Sequence, residues 1–176
     1  PPLSYFVFTP YPERITALYS GPNKPIVFKT PLPSMPNDEG SIGICTSNFT
    51  WIDFTFYDRS WHHELIQNPE NVSLERINPF VPNEQSNWHS ASYTRGYATP
   101  GRKNSQFMKS TLAEKISVIP QVFSPNNDGK SDVTAININL SQTGWALSLM
   151  VYDAFGFPIK TLLNNKPIGP TEVIMW

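Results

Sequence analysis

Residues 51–57 read Trp-Ile-Asp-Phe-Thr-Phe-Tyr, and this stretch decides the fold class. Its apolar residues Ile52, Phe54 and Phe56 occupy every second position, a period of two that is typical of a β-strand. Residues 41–46, Ser-Ile-Gly-Ile-Cys-Thr, alternate in the same way just before it. We therefore predict a two-stranded hairpin with one face on a core and the other partly exposed to water.

Short apolar or alternating runs continue along the rest of the chain. A single helix is predicted over residues 12–19, because Pro12 suits a first helical position and Glu13 favours the positive end of a helix. Residues 78–101 are rich in Pro, Asn, Ser and Gly and predict a long loop that either carries function or packs through its own side chains. Further strands are predicted at residues 5–8, 26–29, 73–77, 116–122, 133–140, 145–152, 159–163 and 171–176.

The composition agrees with an all-β protein. The chain has 176 residues, 18 prolines and only 15% charged residues, against about 25% charged in an average protein. The net charge of −1 offers no concentrated basic face, so no nucleic-acid partner is expected. No stretch reaches the roughly 18 consecutive apolar residues of a membrane span.

The strand pattern restarts after residues 112–115. We therefore predict two modules, residues 1–111 and residues 112–176, joined by a short linker. In the second module, five or six short strands at spacings of about 8–12 residues are typical of a small sandwich of the immunoglobulin type. The predicted fold class is all-β, with two immunoglobulin-like β-sandwich modules in tandem.

The first module resembles a bacterial lamin tail domain over roughly residues 1–107. The resemblance implies an immunoglobulin-like β-sandwich. The opening strands of that family have no counterpart here, so we expect the natural chain to extend upstream. Four segments carry the resemblance, in order: residues 58–63 (Asp-Arg-Ser-Trp-His-His), 73–77 (Ser-Leu-Glu-Arg-Ile), 87–91 (Asn-Trp-His-Ser-Ala) and 98–105 (Ala-Thr-Pro-Gly-Arg-Lys-Asn-Ser).

The second module resembles the FlgD-type immunoglobulin-like domain and is similar to the gliding-motility-associated terminal domains of Bacteroidetes. Residues 123–133, 149–156 and 159–162 carry this resemblance. It implies an exported protein, located at the cell surface, associated with the outer membrane or periplasmic. The expected partner is an unknown protein or a cell-surface glycan.

The densest cluster of oxygen ligands lies in one turn of the second module. Calcium takes six to eight oxygens, and an Asx-rich turn supplies several of them. The alternative is a turn whose Asn and Asp side chains cap their own backbone around Gly129. The candidate calcium ligands are Asn126, Asn127, Asp128, Ser131 and Asp132.

Trp61, His62 and His63 form a second candidate binding site. Adjacent histidines invite a zinc interpretation, but on a strand they point to opposite faces, so a loop whose rings pack or form hydrogen bonds is favoured. Cys45, the only cysteine, excludes an internal disulfide and is predicted to be a buried strand residue. Aromatic residues either fill the core, which is favoured, or form an exposed platform for sugar; they are Trp51, Trp61, Trp88, Tyr93 and Tyr97.

No motif supplies a catalytic nucleophile, a phosphate loop or a dinucleotide site, so no catalytic residue is assigned. Four basic residues near the long loop, diluted by Glu75 and Glu84, favour surface salt bridges over DNA binding; they are Arg76, Arg95, Arg102 and Lys103. The sequence predicts a non-catalytic structural, adhesive or anchoring module pair of an exported bacterial protein. The alternative is an accessory, substrate- or carbohydrate-binding region of a larger secreted enzyme, such as a nuclease or hydrolase.

Overall fold

The computed structural model describes residues 4–19, 24–108 and 115–176. Strands account for 39% of the residues and helices for 10%, which confirms the all-β prediction. The strands form small sheets of two or three members. They are β1 (Phe6–Thr9), β2 (Ile26–Lys29), β3 (Glu39–Cys45), β4 (Trp51–Asp58), β5 (Leu74–Arg76), β6 (Trp88–Ser90), β7 (Lys115–Ile119), β8 (Ala135–Asn139), β9 (Trp145–Tyr152), β10 (Pro158–Ile168) and β11 (Thr171–Met175).

The single α-helix among the described residues, α1 (Pro12–Leu18), confirms the predicted helix. It begins with the proline in its first turn, where the missing N–H costs nothing, and Glu13 follows at its positive end. The helix connects β1 to β2, which pair in parallel. Two parallel strands need a crossover connection such as this helix, because a tight turn would make the second strand antiparallel to the first.

Strands β3 and β4 form the predicted hairpin, in register from Glu39 opposite Asp58 to Ile44 opposite Asp53, with a register shift before Cys45 pairs with Trp51. Polar side chains of β4 contact the segments that follow it. Asp53 accepts an ion-paired hydrogen bond of 2.7 Å from Arg76 of β5. These contacts hold the hairpin against β5 and the loop that follows it.

The apolar face of the hairpin is exposed, and the predicted burial of this face is wrong. Trp51 is 64% exposed and Phe54 is 49% exposed, with Ile52 and Phe56 beside them. Cys45 is also exposed, so the prediction of a buried thiol is wrong as well. Alternation groups Ile52, Phe54 and Phe56 but not Trp51, whose ring contacts Phe54 next to a shift in the pairing register between Ile44 and Cys45. The Trp61 ring packs against Phe56 at one end of this face.

The long loop packs through its own side chains and contains the short strand β6, which pairs with β5. The buried Asn87 side chain donates to the carbonyls of Asn78 and Pro82, at 2.8 and 3.1 Å, and accepts from the Asn78 N–H at 2.9 Å. Asn83 bonds Phe54 and accepts from the indole N–H of Trp88 at 2.6 Å. These amide side chains replace regular secondary structure as partners for the loop backbone.

Residues 115–176 form a three-stranded sheet in the order β11-β8-β7 and the hairpin β9-β10. Its buried apolar side chains come from one face of β8, Ile136 and Ile138, and from β10, Leu163 and Ile168. The first pair realises the alternation predicted for residues 133–140. The predicted module junction near Leu112 lies outside the described residues.

Two buried carboxylates connect these strands to the loops of residues 24–108. Glu172 of β11 accepts from Ser92 at 2.5 Å, from Thr94 and from the Gly169 N–H at 2.7 Å. Glu75 of β5 accepts from Thr99, from Ser105 at 2.6 Å and from the Gln106 N–H at 3.1 Å. The Ser92 N–H donates to the Ser105 hydroxyl at 2.8 Å, which joins the two clusters into one buried network.

We predict that Glu172→Gln lowers the free energy of unfolding by about 1–3 kcal/mol, the cost of leaving buried donors unsatisfied. The amide group would present an N–H₂ where the carboxylate now accepts hydrogen bonds on both oxygens. Chemical denaturation of the variant and the wild type measures the difference. Glu70→Gln makes the same change at an exposed site and should stay within about 0.5 kcal/mol of the wild type; equal effects of the two changes would contradict the role of Glu172.

Candidate functional site

All three histidines of the chain line one recess of about 550 Å³, here called the histidine cleft. Trp61, His62 and His63, which sequence analysis grouped as a candidate binding site, lie on one side of it. His89 and Trp88 of β6 lie on the other. The cleft therefore brings together residues that stand more than 20 positions apart in the sequence.

A single 3-10 turn at Arg59–Trp61 delivers the first group of residues to the cleft. The Asp58 carboxylate caps this turn by accepting the Ser60 N–H at 2.7 Å, and the hydrogen bonds from Ser60 lower the pKa of Asp58. The Trp61 ring packs edge-on against Phe56, with ring centroids 6.0 Å apart. Trp61 is half-buried, so it is neither a core residue nor a fully exposed one.

Ser90 fixes both neighbouring histidines. Its hydroxyl lies 3.0 Å from Nδ1 of His62 and accepts the backbone N–H of His63 at 2.9 Å. A serine beside a histidine is the beginning of a nucleophilic site, but Ser90 is only 1% exposed. A substrate cannot reach this hydroxyl, so the pair orients the His62 ring instead.

His89 faces the second half of the protein. A side chain at Gly144 would meet the His89 ring, because a Cβ atom there would stand 2.8 Å from Nε2. Gly144 also has a φ of 80°, which disfavours any other residue. Nδ1 of His89 is buried and has no hydrogen-bond partner among the described residues.

The described residues contain no group of three or more His, Cys, Asp or Glu side chains placed to hold a metal ion. The three histidines therefore share a cleft but not a coordination sphere. His63 uses its Nδ1 to accept the Leu65 N–H at 3.2 Å. This hydrogen bond agrees with the loop interpretation favoured for His62 and His63.

Both His62 and His89 are held in their neutral form. Burial, and secondarily the Arg59 guanidinium, lower the pKa of His62. Burial, and secondarily His63, lower the pKa of His89. A cleft lined by neutral imidazoles offers hydrogen-bond donors and acceptors together with two indole rings.

We predict that acidification destabilises the protein. A histidine whose folded-state pKa lies below its unfolded value of about 6.5 takes up protons more readily when unfolded. Stability should therefore fall as the pH drops below about 6.5 and stop falling once the folded-state pKa is passed. Thermal melts between pH 7.5 and 5 measure this, and His89→Asn should flatten the dependence.

Ile136→Val serves as the control for His89→Asn, since it removes one buried methylene at a cost of about 0.5–1.5 kcal/mol. This variant should melt lower at every pH while keeping the pH dependence of the wild type. An undiminished acid dependence in His89→Asn would show that other groups cause the effect.

The candidate calcium ligands form a turn closed by its own side chains. Asp132 accepts the N–H groups of Asn126, Asn127 and Gly129, at 3.1, 2.7 and 2.8 Å. Asp128 accepts the Lys130 N–H at 2.8 Å. This geometry fits the self-capped alternative raised from the sequence. Oδ1 of Asp132 already accepts two hydrogen bonds, whereas Oδ2 of Asp132 and both carboxylate oxygens of Asp128 accept one each and keep a further lone pair for a cation.

Calcium binding at this turn stays a prediction. With an affinity typical of extracellular modules, about 5 mM calcium would stabilise the protein by about 1–2 kcal/mol. A calcium-dependent rise in melting temperature that Asp132→Asn abolishes and Asp38→Asn preserves would establish the site. An unchanged melting temperature in the wild type would leave only the self-capped turn.

Searches of protein-family models, curated proteins and solved structures found no match to this chain. The two family resemblances stated from the sequence therefore stay predictions. The described residues also include no helix that is long and apolar enough to cross a membrane.

His89 lines the cleft but was not assigned to a site from the sequence. The available signal was His89 itself, which is the only histidine outside the 62–63 pair. The pairing of β6 with β5 that places it was hidden inside a segment predicted as loop.

Proposed function

We propose that this chain is a non-catalytic, adhesive and structural part of an exported bacterial cell-surface or periplasmic protein, built from two immunoglobulin-like modules. The observation that carries the proposal is the exposed apolar face of the β3-β4 hairpin, here called the aromatic face and made of Trp51, Ile52, Phe54 and Phe56. The resemblance of residues 58–105 and 123–162 to modules of exported proteins supports the location.

The aromatic face is ordered rather than merely exposed. The Trp51 ring lies over Gly43, where a Cβ atom would stand 2.6 Å from the indole. Phe54 holds Trp51 edge-on, with ring centroids 5.6 Å apart and an interplanar angle of 69°. The small residue beneath Trp51 gives the indole room to lie against the sheet.

Four large apolar side chains lie on one strand of the hairpin, each about half exposed or more. A contiguous exposed apolar patch favours an interaction site. Planar aromatic rings can stack on the C–H faces of sugar rings. Few residues of the chain are charged, so a neutral glycan is a suitable partner. We therefore propose a cell-surface glycan as the partner.

A glycan array with the wild-type chain should identify bound sugars, and Trp51→Ala should weaken the best binder about fivefold or more, by comparison with the roughly 1–3 kcal/mol that one aromatic ring contributes when it stacks on a nucleobase. Phe155→Ala is the matched control, since that ring is 88% exposed at the tip of the β9-β10 hairpin. An array without hits, or equal losses in both variants, would contradict the glycan proposal.

The second candidate is an accessory region that brings a larger secreted enzyme to its carbohydrate substrate. The same aromatic face favours it, because stacking on a polysaccharide serves adhesion and substrate targeting alike. Hydrolysis of the bound glycan by the full-length gene product would favour the accessory role, and persistent binding without turnover would favour adhesion.

A further inference from the structure

A second recess, of about 410 Å³, carries three basic side chains and is here called the basic cleft. Arg95, Arg102 and Lys103 line it, and no acidic side chain of the described residues does. The chain as a whole has a net charge of −1. Three cations around one recess are therefore a local concentration of charge that the overall composition conceals.

The acidic residues that were expected to dilute this patch do not face it. Glu75 is 3% exposed and accepts hydrogen bonds from Thr99 and Ser105, while Glu84 lies outside the lining. Neither Arg95 nor Lys103 forms an ion pair with any described residue. The expected surface salt bridges are therefore not seen at these two positions within residues 4–19, 24–108 and 115–176.

Arg95 is presented by a fixed turn. It ends a single 3-10 turn, Tyr93–Arg95, which Ser92 caps by accepting the Thr94 N–H at 3.3 Å. Glu172 in turn holds Ser92 at 2.5 Å. Gly96 follows with a φ of 67° and turns the chain away from the cleft.

Arg102 and Lys103 come from a second fixed turn. The Arg102 N–H donates to the Thr99 carbonyl at 3.1 Å across Pro100 and Gly101, whose φ is 68°, the arrangement of a type II turn. The Arg102 guanidinium also donates to the Tyr19 carbonyl at 3.4 Å.

The chain just beyond this turn is anchored as well. The Asn104 side chain donates to the Arg76 carbonyl at 2.9 Å, and the Lys103 ammonium lies 5.4 Å from the centre of the Phe107 ring. The backbone that carries both cations is therefore held in place before any ligand arrives.

We propose that the basic cleft binds a phosphate or sulfate group carried on a body the size of one sugar. Basic side chains that line one recess can form charge-assisted hydrogen bonds with such an anion. The volume lies in the range of small-molecule sites and exceeds that of the anion alone. Neutral polar residues, Thr99, Asn104 and Thr171, complete the lining and suit the hydroxyls of the body. This site is separate from the aromatic face and does not depend on the proposed adhesive function.

Calorimetric titration of the whole chain with glucose 6-phosphate, inorganic phosphate, inorganic sulfate and glucose tests the proposal. Glucose 6-phosphate should bind, glucose should not, and the two inorganic ions should bind at least tenfold more weakly than the ester. Raising the salt concentration should weaken binding, because partly exposed charges are screened.

Arg95→Gln and Lys103→Gln should each weaken glucose 6-phosphate binding about tenfold or more, the effect of losing one charge-assisted contact. Both residues are exposed, so unchanged melting temperatures will show that the variants fold. Lys160→Gln, at an exposed position on β10, is the matched control and should bind as the wild type does.

Three results would overturn the proposal. One is absence of glucose 6-phosphate binding at millimolar concentration, and another is equal binding by Arg95→Gln, Lys103→Gln and the wild type. The third is inorganic phosphate binding as tightly as the ester, which would show that the cleft recognises the anion alone and not the sugar attached to it. Tighter binding of duplex DNA than of the ester, lost in the same variants, would replace the proposed ligand with a nucleic acid.

Discussion

A carboxylate removed from water must accept hydrogen bonds from fixed donors, because leaving it unsatisfied costs several kcal/mol. This chain buries two such groups, Glu75 and Glu172, and meets their demand with hydroxyls and backbone N–H groups rather than with cations. The donors belong to irregular segments, so satisfying the carboxylates also fixes the paths of those segments. Hydrogen bonds to buried carboxylates therefore hold the loops of residues 92–106, whereas a larger domain would hold such loops by burying apolar side chains.

This constraint has consequences for both clefts. Glu75 holds the turn that presents Arg102 and Lys103, and Glu172 holds the turn that presents Arg95. Strand β6 lies opposite β5, with His89 facing Glu75 in register, so the same pairing places His89 and Ser90 beside the histidine cleft. Preorganised side chains lose less entropy when a ligand arrives, which is why rigid support matters for sites that use few contacts.

The local part of this structure could be read from the sequence, and the non-local part could not. Alternation located β4, and Pro12 and Glu13 located α1, because these signals lie within one turn or one strand. Which face of β4 is covered depends on other segments, so Phe54 and Cys45 were wrongly assigned to the interior. His62 and His89 likewise line the same cleft because β5 pairs with β6. A strand of three residues is too short to show alternation in the sequence, so this pairing could not be predicted.

The hairpin could in principle have faced the other way, with its polar residues in solvent and its apolar residues against the protein. A surface strand without a binding role usually places its polar residues toward solvent. Exposed apolar side chains do not stabilise the fold and promote association with other molecules. Here the polar residues Asp53 and Thr55 contact Arg76 and Asn83, although the Asp53 side chain is itself 54% exposed. Those specific contacts fix the register, and a slip by one residue would exchange the two faces. These contacts therefore favour the orientation that keeps Trp51 and its neighbours in solvent, as the proposed binding surface requires.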